Sequence, residues 1–153
     1  SNIDGSETDE ADINAIIRSV CNVATTDINK NCQLRLQLND IPKIECQPGH
    51  LGQVFLNLLL NAVKAIEGKG NIDIHSSQLD RQITVTVSDN GSGMPAQVLN
   101  RIFDPFFTTN DVGDGIGLGL TVCKDIVAAH GGEISVDSEV GKGSSFTVKI
   151  PVV

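Results

Sequence analysis

Five separate stretches of this chain alternate apolar and polar residues with a period of two: Leu34, Leu36 and Leu38; Ile72 and Ile74; Ile83, Val85 and Val87; Ile134 and Val136; and Phe146, Val148 and Ile150. Successive side chains of a strand point to opposite faces, so each stretch reads as a strand with one apolar and one wet face. A parallel sheet covered on both sides would show continuous apolar runs instead. The pattern predicts one mixed, largely antiparallel sheet of about five strands with helices on a single face, a two-layer α/β (α+β) sandwich.

Three helices would supply the second layer. From Asp12, a cap residue, Ile13, Ile16, Ile17, Val20 and Ala24 recur at helical spacing. A long helix is expected from about His50 to Ile66, and another from about Leu118 to Ala129, stopped by Gly131 and Gly132. Between Asp104 and Ile116 no periodicity survives, and a loop of that length inside a compact domain reads as a mobile lid. With 153 residues, 40% hydrophobic and 20% charged, the chain suits one core. Residues 1–10 are polar and acidic and read as the end of a linker, leaving 11–153 as a single domain.

Charge sets further limits. A net charge of -8 and a pI near 4.6 argue against a nucleic-acid binder, which needs clustered Lys and Arg to displace counterions. Cys21, Cys32, Cys46 and Cys123 form no Cys-x-x-Cys pattern, which suits reduced thiols of the cytoplasm. The longest apolar stretch, Val54 to Val63, is broken by Asn57 and Asn61 and falls short of the roughly 20 residues that span a bilayer. Ser1 to Glu10 does not read as a signal peptide. The domain is therefore expected in the cytoplasm without membrane contact of its own, even if the parent protein is anchored in an inner membrane.

Four local features carry chemistry. On the helix from His50 to Ile66, Leu51, Phe55, Leu59, Ala62 and Ile66 form the core-facing side. At about 100° per residue, Gln53, Asn57, Asn61 and Lys64 fall in a narrow stripe bordered by Val54 and Leu60. Amides among apolar neighbours need partners. An Asn carbonyl can ligate a hard cation such as Mg²⁺ and a Lys one turn on can meet phosphate, although two Asn residues bonding nearby backbone would show the same spacing.

The strand ending in Val87 runs into Asp89-Asn90-Gly91-Ser92-Gly93-Met94, and Asp89 shares the parity of Ile83, Val85 and Val87, so it should face the helices. A sheltered carboxylate needs hydrogen bonds. The exocyclic amine of adenine would supply one, with Gly91 and Gly93 leaving room for the base; an acidic turn with glycines for geometry alone is the alternative. Gly115-Ile116-Gly117-Leu118-Gly119-Leu120 opens the last helix, where exposed amides suit phosphate or simply form a flexible turn. Phe103-Asp104-Pro105-Phe106-Phe107-Thr108-Thr109 holds three of the five phenylalanines and would hold the base of the lid or pack a helix end.

In this order and at this spacing, the four pieces resemble the N box, first glycine box, F box and second glycine box of sensor histidine kinases. The resemblance runs from about Asp12 to Pro151 and includes Asp12-Ile13-Asn14, Gln53-Val54 and Ala129-His130-Gly131-Gly132. That family shares a superfamily with gyrase, Hsp90 and MutL, and the resemblance implies a Bergerat-type fold with nucleotide held between helices and sheet. It implies ATP and Mg²⁺ as ligands, with Asn61 on the metal, Asn57 near the γ-phosphate and Lys64 on phosphate oxygens. Asn57 and Lys64 would be the catalytic pair, and Asp89 would read adenine beside Gly91, Gly93 and Met94. Phe106, Thr108 and Thr109 of the lid would add nucleotide contacts. So would Gly115, Gly117, Leu118, Gly119 and Leu120 of the second glycine box, and Ser145.

Related ATPases place Glu, a general base, where this chain has Asn57; an amide cannot take that role, which favours transfer over hydrolysis. Asn110, Ile116 and Ser144-Ser145 depart from the residues common in the family, at positions that bear on the lid and the γ-phosphate. The implied activity is that of a protein-histidine kinase in two-component signalling, acting on a histidine of a separate dimerisation domain. The parent would be a homodimer with a response regulator receiver domain as partner. His50, His75 and His130 are poor phosphoacceptors, His130 because it ends a helix where its charge suits the dipole. An anti-sigma-factor-type protein-serine kinase and a nucleotide-sensing module without transfer activity are the rival readings.

Overall fold

The computed structural model describes residues 7–28, 32–105, 107 and 116–152, with the backbone alone for 26, 27 and 116–118. The lid residues Phe106, Thr108, Thr109, Asn110 and Gly115 lie outside the described residues. In chain order the elements are β1 (Asp9–Ala11), α1 (Ile13–Val23), α2 (Thr25–Ile28), β2 (Cys32–Leu38), β3 (Ile44–Cys46), α3 (Pro48–Ala65), β4 (Gly70–Leu79), β5 (Gln82–Asp89), α4 (Ala96–Leu99), α5 (Ile116–Ala129), β6 (Glu133–Glu139) and β7 (Gly143–Pro151).

The five alternating stretches pair as predicted into one sheet of order β2-β4-β5-β7-β6. β2 runs parallel to β4 and the other pairings are antiparallel. Ile72, Ile74, Ile83, Val85, Val87, Phe146, Val148 and Ile150 are buried on the inner face, packed with Ile13 and Ile17 of α1, Leu51, Phe55 and Leu59 of α3, and Cys123 and Val127 of α5. Burying each such aliphatic side chain contributes about 1.5–3 kcal/mol, and all four cysteines are free thiols. The opposite face carries the partly exposed Thr84, Thr86, Ser88, Thr147 and Lys149.

Local chemistry sets the helix ends. The Asp12 side chain accepts from the Asn14 backbone N–H at 2.9 Å, satisfying a donor that the first turn of α1 leaves without an intrahelical partner. α3 starts two residues earlier than predicted, because Pro48 suits a first turn, where its missing N–H costs nothing. At the other end Ile66 has left the helix, with φ -90 and ψ 120. Val54, placed at the border of the polar stripe by the helical wheel, is fully buried. α5 packs over it, and the Cys123 thiol donates to the Val54 carbonyl at 3.8 Å.

Two features escape the periodicity. β1 and β3 form a separate antiparallel ribbon, Asp9 opposite Cys46 and Ala11 opposite Ile44, and each is too short to display a period. His130 does not act through charge. Its Nε2 accepts the Gln47 backbone N–H at 3.1 Å, and its Nδ1 lies 2.9 Å from the Ile126 carbonyl, which can only accept. The ring is therefore neutral with its proton on Nδ1, and it ties the end of α5 to the start of α3.

Candidate functional site

The polar stripe of α3 faces both glycine segments. Near its middle, Asn57 Nδ2 donates to the Gly119 carbonyl in the second turn of α5 at 3.3 Å. A Cβ on Gly119 would lie 3.4 Å from that Nδ2, at the edge of ordinary van der Waals contact, so the two helices meet closely here. At the C-terminal end of α3, the Ala65 carbonyl accepts the Ser92 N–H at 3.0 Å. Asn61 lies one turn from each of these contacts. Its Nδ2 is buried and has no hydrogen-bond partner among the described residues, although buried amides ordinarily find one. Lys64 follows on the exposed part of the stripe, as does Gln53 at its start.

Asp89 ends β5 on the helix-facing side, half-buried, as parity predicts. Its Oδ1 accepts the Gly91 N–H at 2.8 Å. Burial pushes its carboxyl above the ordinary range, while the backbone N–H groups of Gly91 and Ser144 pull the other way. The carboxylate is thus provided with backbone partners before any ligand arrives.

The glycines of this loop are demanded by protein contacts. A Cβ on Gly91 would lie 2.4 Å from the Ala65 carbonyl oxygen. Gly93 has φ +71, and a Cβ there would lie 2.0 Å from the Glu139 carbonyl oxygen. The expectation that they leave space for a base is therefore not what requires them. The loop is wedged between the end of α3 and the β6–β7 hairpin, where Gly141 N–H donates to the Ser92 carbonyl at 2.8 Å and Met94 N–H donates to Ser138 Oγ at 2.8 Å.

α5 begins at Ile116, so Gly117, Leu118 and Gly119 lie in its opening turns, where several N–H groups have no i−4 acceptor and carry the positive end of the helix dipole. The Leu120 side chain is 3% exposed and belongs to the core, which leaves only its backbone for a ligand. Ser145 and Ser144 divide between the two faces of the sheet. Ser145 shares a depression at the end of the sheet with Asp89, but its hydroxyl bonds Ser88 on the face away from the helices. The hydroxyl on the helix-facing side, paired with Asp89 in register, belongs to Ser144, 7% exposed. Its shared parity with Phe146 and Val148 was the signal that could have found it.

Burial pushes the Cys123 thiol up to about 11, while its hydrogen bond with the Asn57 side chain pulls the other way. The F-box segment is tied in by its first residues. Thr121 Oγ1 lies 3.2 Å from both the Phe103 and Asp104 carbonyls, and Phe103 meets Phe146 edge to face at 6.4 Å. Arg101 covers the Phe107 ring at 5.0 Å.

Residues 46–153 match the family described as Histidine kinase-, DNA gyrase B-, and HSP90-like ATPase. The sensor histidine kinase ZraS of Escherichia coli (strain K12) is 43% identical over 143 residues, covering 92% of this chain and 30% of that protein, so the chain spans less than a third of the relative. Among solved structures, the nucleotide-free catalytic domain of histidine kinase ThkA superposes with a TM-score of 0.86 at 31% identity, over 95% of this chain and 96% of the other. ThkA in complex with the response regulator protein TrrA gives 0.81 at 30%, over 95% and 42%. Full-length ShkA in complex with AMPPNP gives 0.83 at 31%, over 94% and 31%.

Proposed function

The chain belongs to the histidine kinase-, DNA gyrase B- and HSP90-like ATPase family, and from that premise we propose that residues 11–153 form the ATP-binding catalytic domain of a sensor histidine kinase. The observation that carries the reading is the arrangement along α3, where the Gly119 contact at Asn57 and the Ser92 contact at Ala65 bracket the unpartnered amide of Asn61. A buried Asn61 Nδ2 with no partner among the described residues, between two glycine segments, fits a ligand that brings its own polar atoms.

Mg-ATP would supply the γ-phosphoryl group and a cation that shields its charge. In this reading Asn61 offers its carbonyl oxygen to the cation, and Lys64 meets phosphate oxygens as a point charge. The first-turn amides of α5 face the phosphates, and Asp89 accepts from the adenine amine. Asn57, engaged with Gly119, has no basic atom with which to deprotonate water, so the phosphoryl group is kept for a protein acceptor. A histidine nitrogen on a separate dimerisation domain then bonds the γ-phosphorus as the bond to the β–γ bridging oxygen breaks and ADP leaves. The ThkA–TrrA and ShkA–AMPPNP complexes support a response regulator and ATP as partners. The parent would be a homodimer whose catalytic domains work in the cytoplasm; no described helix is long and apolar enough to cross a membrane.

Mixing the chain with a histidine-bearing dimerisation helix, Mg²⁺ and ATP should yield acid-labile phosphate on that helix. Acid-stable phosphoserine on a protein substrate would identify a serine kinase, and nucleotide binding without transfer a sensing module. Asn61→Ala should weaken ATP binding more with Mg²⁺ than without it, and equal losses would remove the metal role.

A further inference from the structure

Ser138, on β6, is assigned to no step above, yet its hydroxyl is the most connected polar side-chain atom beside the Asp89 loop. Ser138 shares the helix-facing parity of Ile134 and Val136. Its Oγ lies 2.8 Å from the Met94 N–H, 3.0 Å from the Gly143 carbonyl and 2.8 Å from Ser144 Oγ. It lines the same depression as Asp89 and Ser144.

The directions of these bonds are determined by their partners. A hydroxyl has one proton and two lone pairs. The Met94 amide can only donate, so it takes one lone pair of Ser138. The Gly143 carbonyl can only accept, so it takes the Ser138 proton. What remains is the second lone pair, and Ser144 Oγ must donate to it. The Ser144 proton is thereby turned toward Ser138, and Ser144 presents only lone pairs to its surroundings, beside the Asp89 carboxylate with which it is paired in register.

We propose that Ser138 is a positioning residue that sets base specificity, by holding the Met94 amide and turning the Ser144 hydroxyl into an acceptor beside Asp89. The proposal rests on the nucleotide reading above and deepens it. An edge made only of acceptors matches a base that carries an amino group there and repels one that carries a carbonyl. Without Ser138, the Ser144 proton is released to rotate toward the site, where it can serve a carbonyl, and the Met94 loop loses a tether to β6.

The test is a comparison of wild type, Ser138→Ala and Ser138→Thr in the 153-residue chain, titrated with ATP and with GTP. Losing one net hydrogen bond of this kind should lower the preference for ATP over GTP by roughly two- to tenfold in the Ala variant. The Thr variant, which keeps the hydroxyl, should regain most of it. A structural role alone would lower the affinity for both nucleotides together and leave the ratio unchanged, and that outcome overturns the assignment. If the Ala variant does not fold, Ser138→Cys, with its weak thiol donor, takes its place and should lose preference in the same direction. Exchange of the Met94 amide in the nucleotide-free chain, followed by NMR, should quicken in the Ala variant, and unchanged protection also counts against the assignment. A wild-type chain that binds neither nucleotide sinks the function proposed above and this inference with it, whereas a preserved preference in Ser138→Ala sinks this inference alone.

Discussion

Gly93→Ala should be among the more damaging single-methyl additions to this chain. At φ +71 an L-residue pays about 1–2 kcal/mol for the left-handed conformation. The added Cβ would also sit 2.0 Å from the Glu139 carbonyl oxygen, where ordinary contact begins at 3.4 Å. The atoms that it meets are all backbone, so no neighbouring side chain can rotate away. The loop must move off the hairpin, putting at risk the Met94 to Ser138 and Gly141 to Ser92 bonds, each worth about 0.5–1.5 kcal/mol. The total is roughly 2–5 kcal/mol, or about 4–20 °C in melting temperature for a domain of this size.

Gly52→Ala is the matched control. It lies inside α3, and its Cβ would meet only Ile16 Cγ2 at 3.7 Å and Val20 Cγ2 at 3.9 Å. There the methyl group should stabilise by about 0.5–1 kcal/mol, because glycine is a poor helix former, and nucleotide affinity should not change. Melts followed by circular dichroism, with ATP titrations by calorimetry, check both variants. A Gly93→Ala chain that melts within a degree of wild type, or a Gly52→Ala chain that falls as far, would refute the packing reasoning.

Burial raises the Asp89 pKa, so the native chain holds that proton more tightly than the unfolded chain, and stability falls as pH rises from the ordinary carboxylate range through the native value. Asp89→Asn keeps an acceptor for the Gly91 amide and removes this loss, so at pH 7 it should melt no lower than wild type while losing its preference for adenine over guanine nucleotides. A lower melting temperature across a pH series would contradict this. His130→Ala should leave the Gln47 N–H unpaired at a site only 5% exposed, at a cost of about 1–3 kcal/mol, with faster exchange of that amide by NMR; unchanged exchange would deny the link between α5 and α3.

Much of the site was legible because each clue is local. Asp89 faces the helices because it stands two residues from Val87 on the same strand, and Asn57, Asn61 and Lys64 share a stripe because a helix repeats. The same parity separates Ser144, on the helix-facing side, from Ser145, on the other face. The glycines were harder to read, since Gly91 and Gly93 yield to Ala65 and Glu139, residues far away in the sequence. Leu120 stands in the second glycine segment but is claimed by the core.

The order of apolar and polar residues by itself determined that five strands share one apolar face and that three main helices cover it. It also set which side of α3 is polar and that Asp89 points inward. Backbone geometry imposes those periods on adjacent residues, so they are written into the local sequence. Only the tertiary structure decided that Asn57 reaches Gly119 across 62 positions and that His130 serves Gln47 across 83 as a neutral acceptor. The same is true of Ser138 collecting three partners from one strand and a loop. Such contacts depend on how the layers dock and which buried donors still need an acceptor, and neighbouring residues carry no record of that.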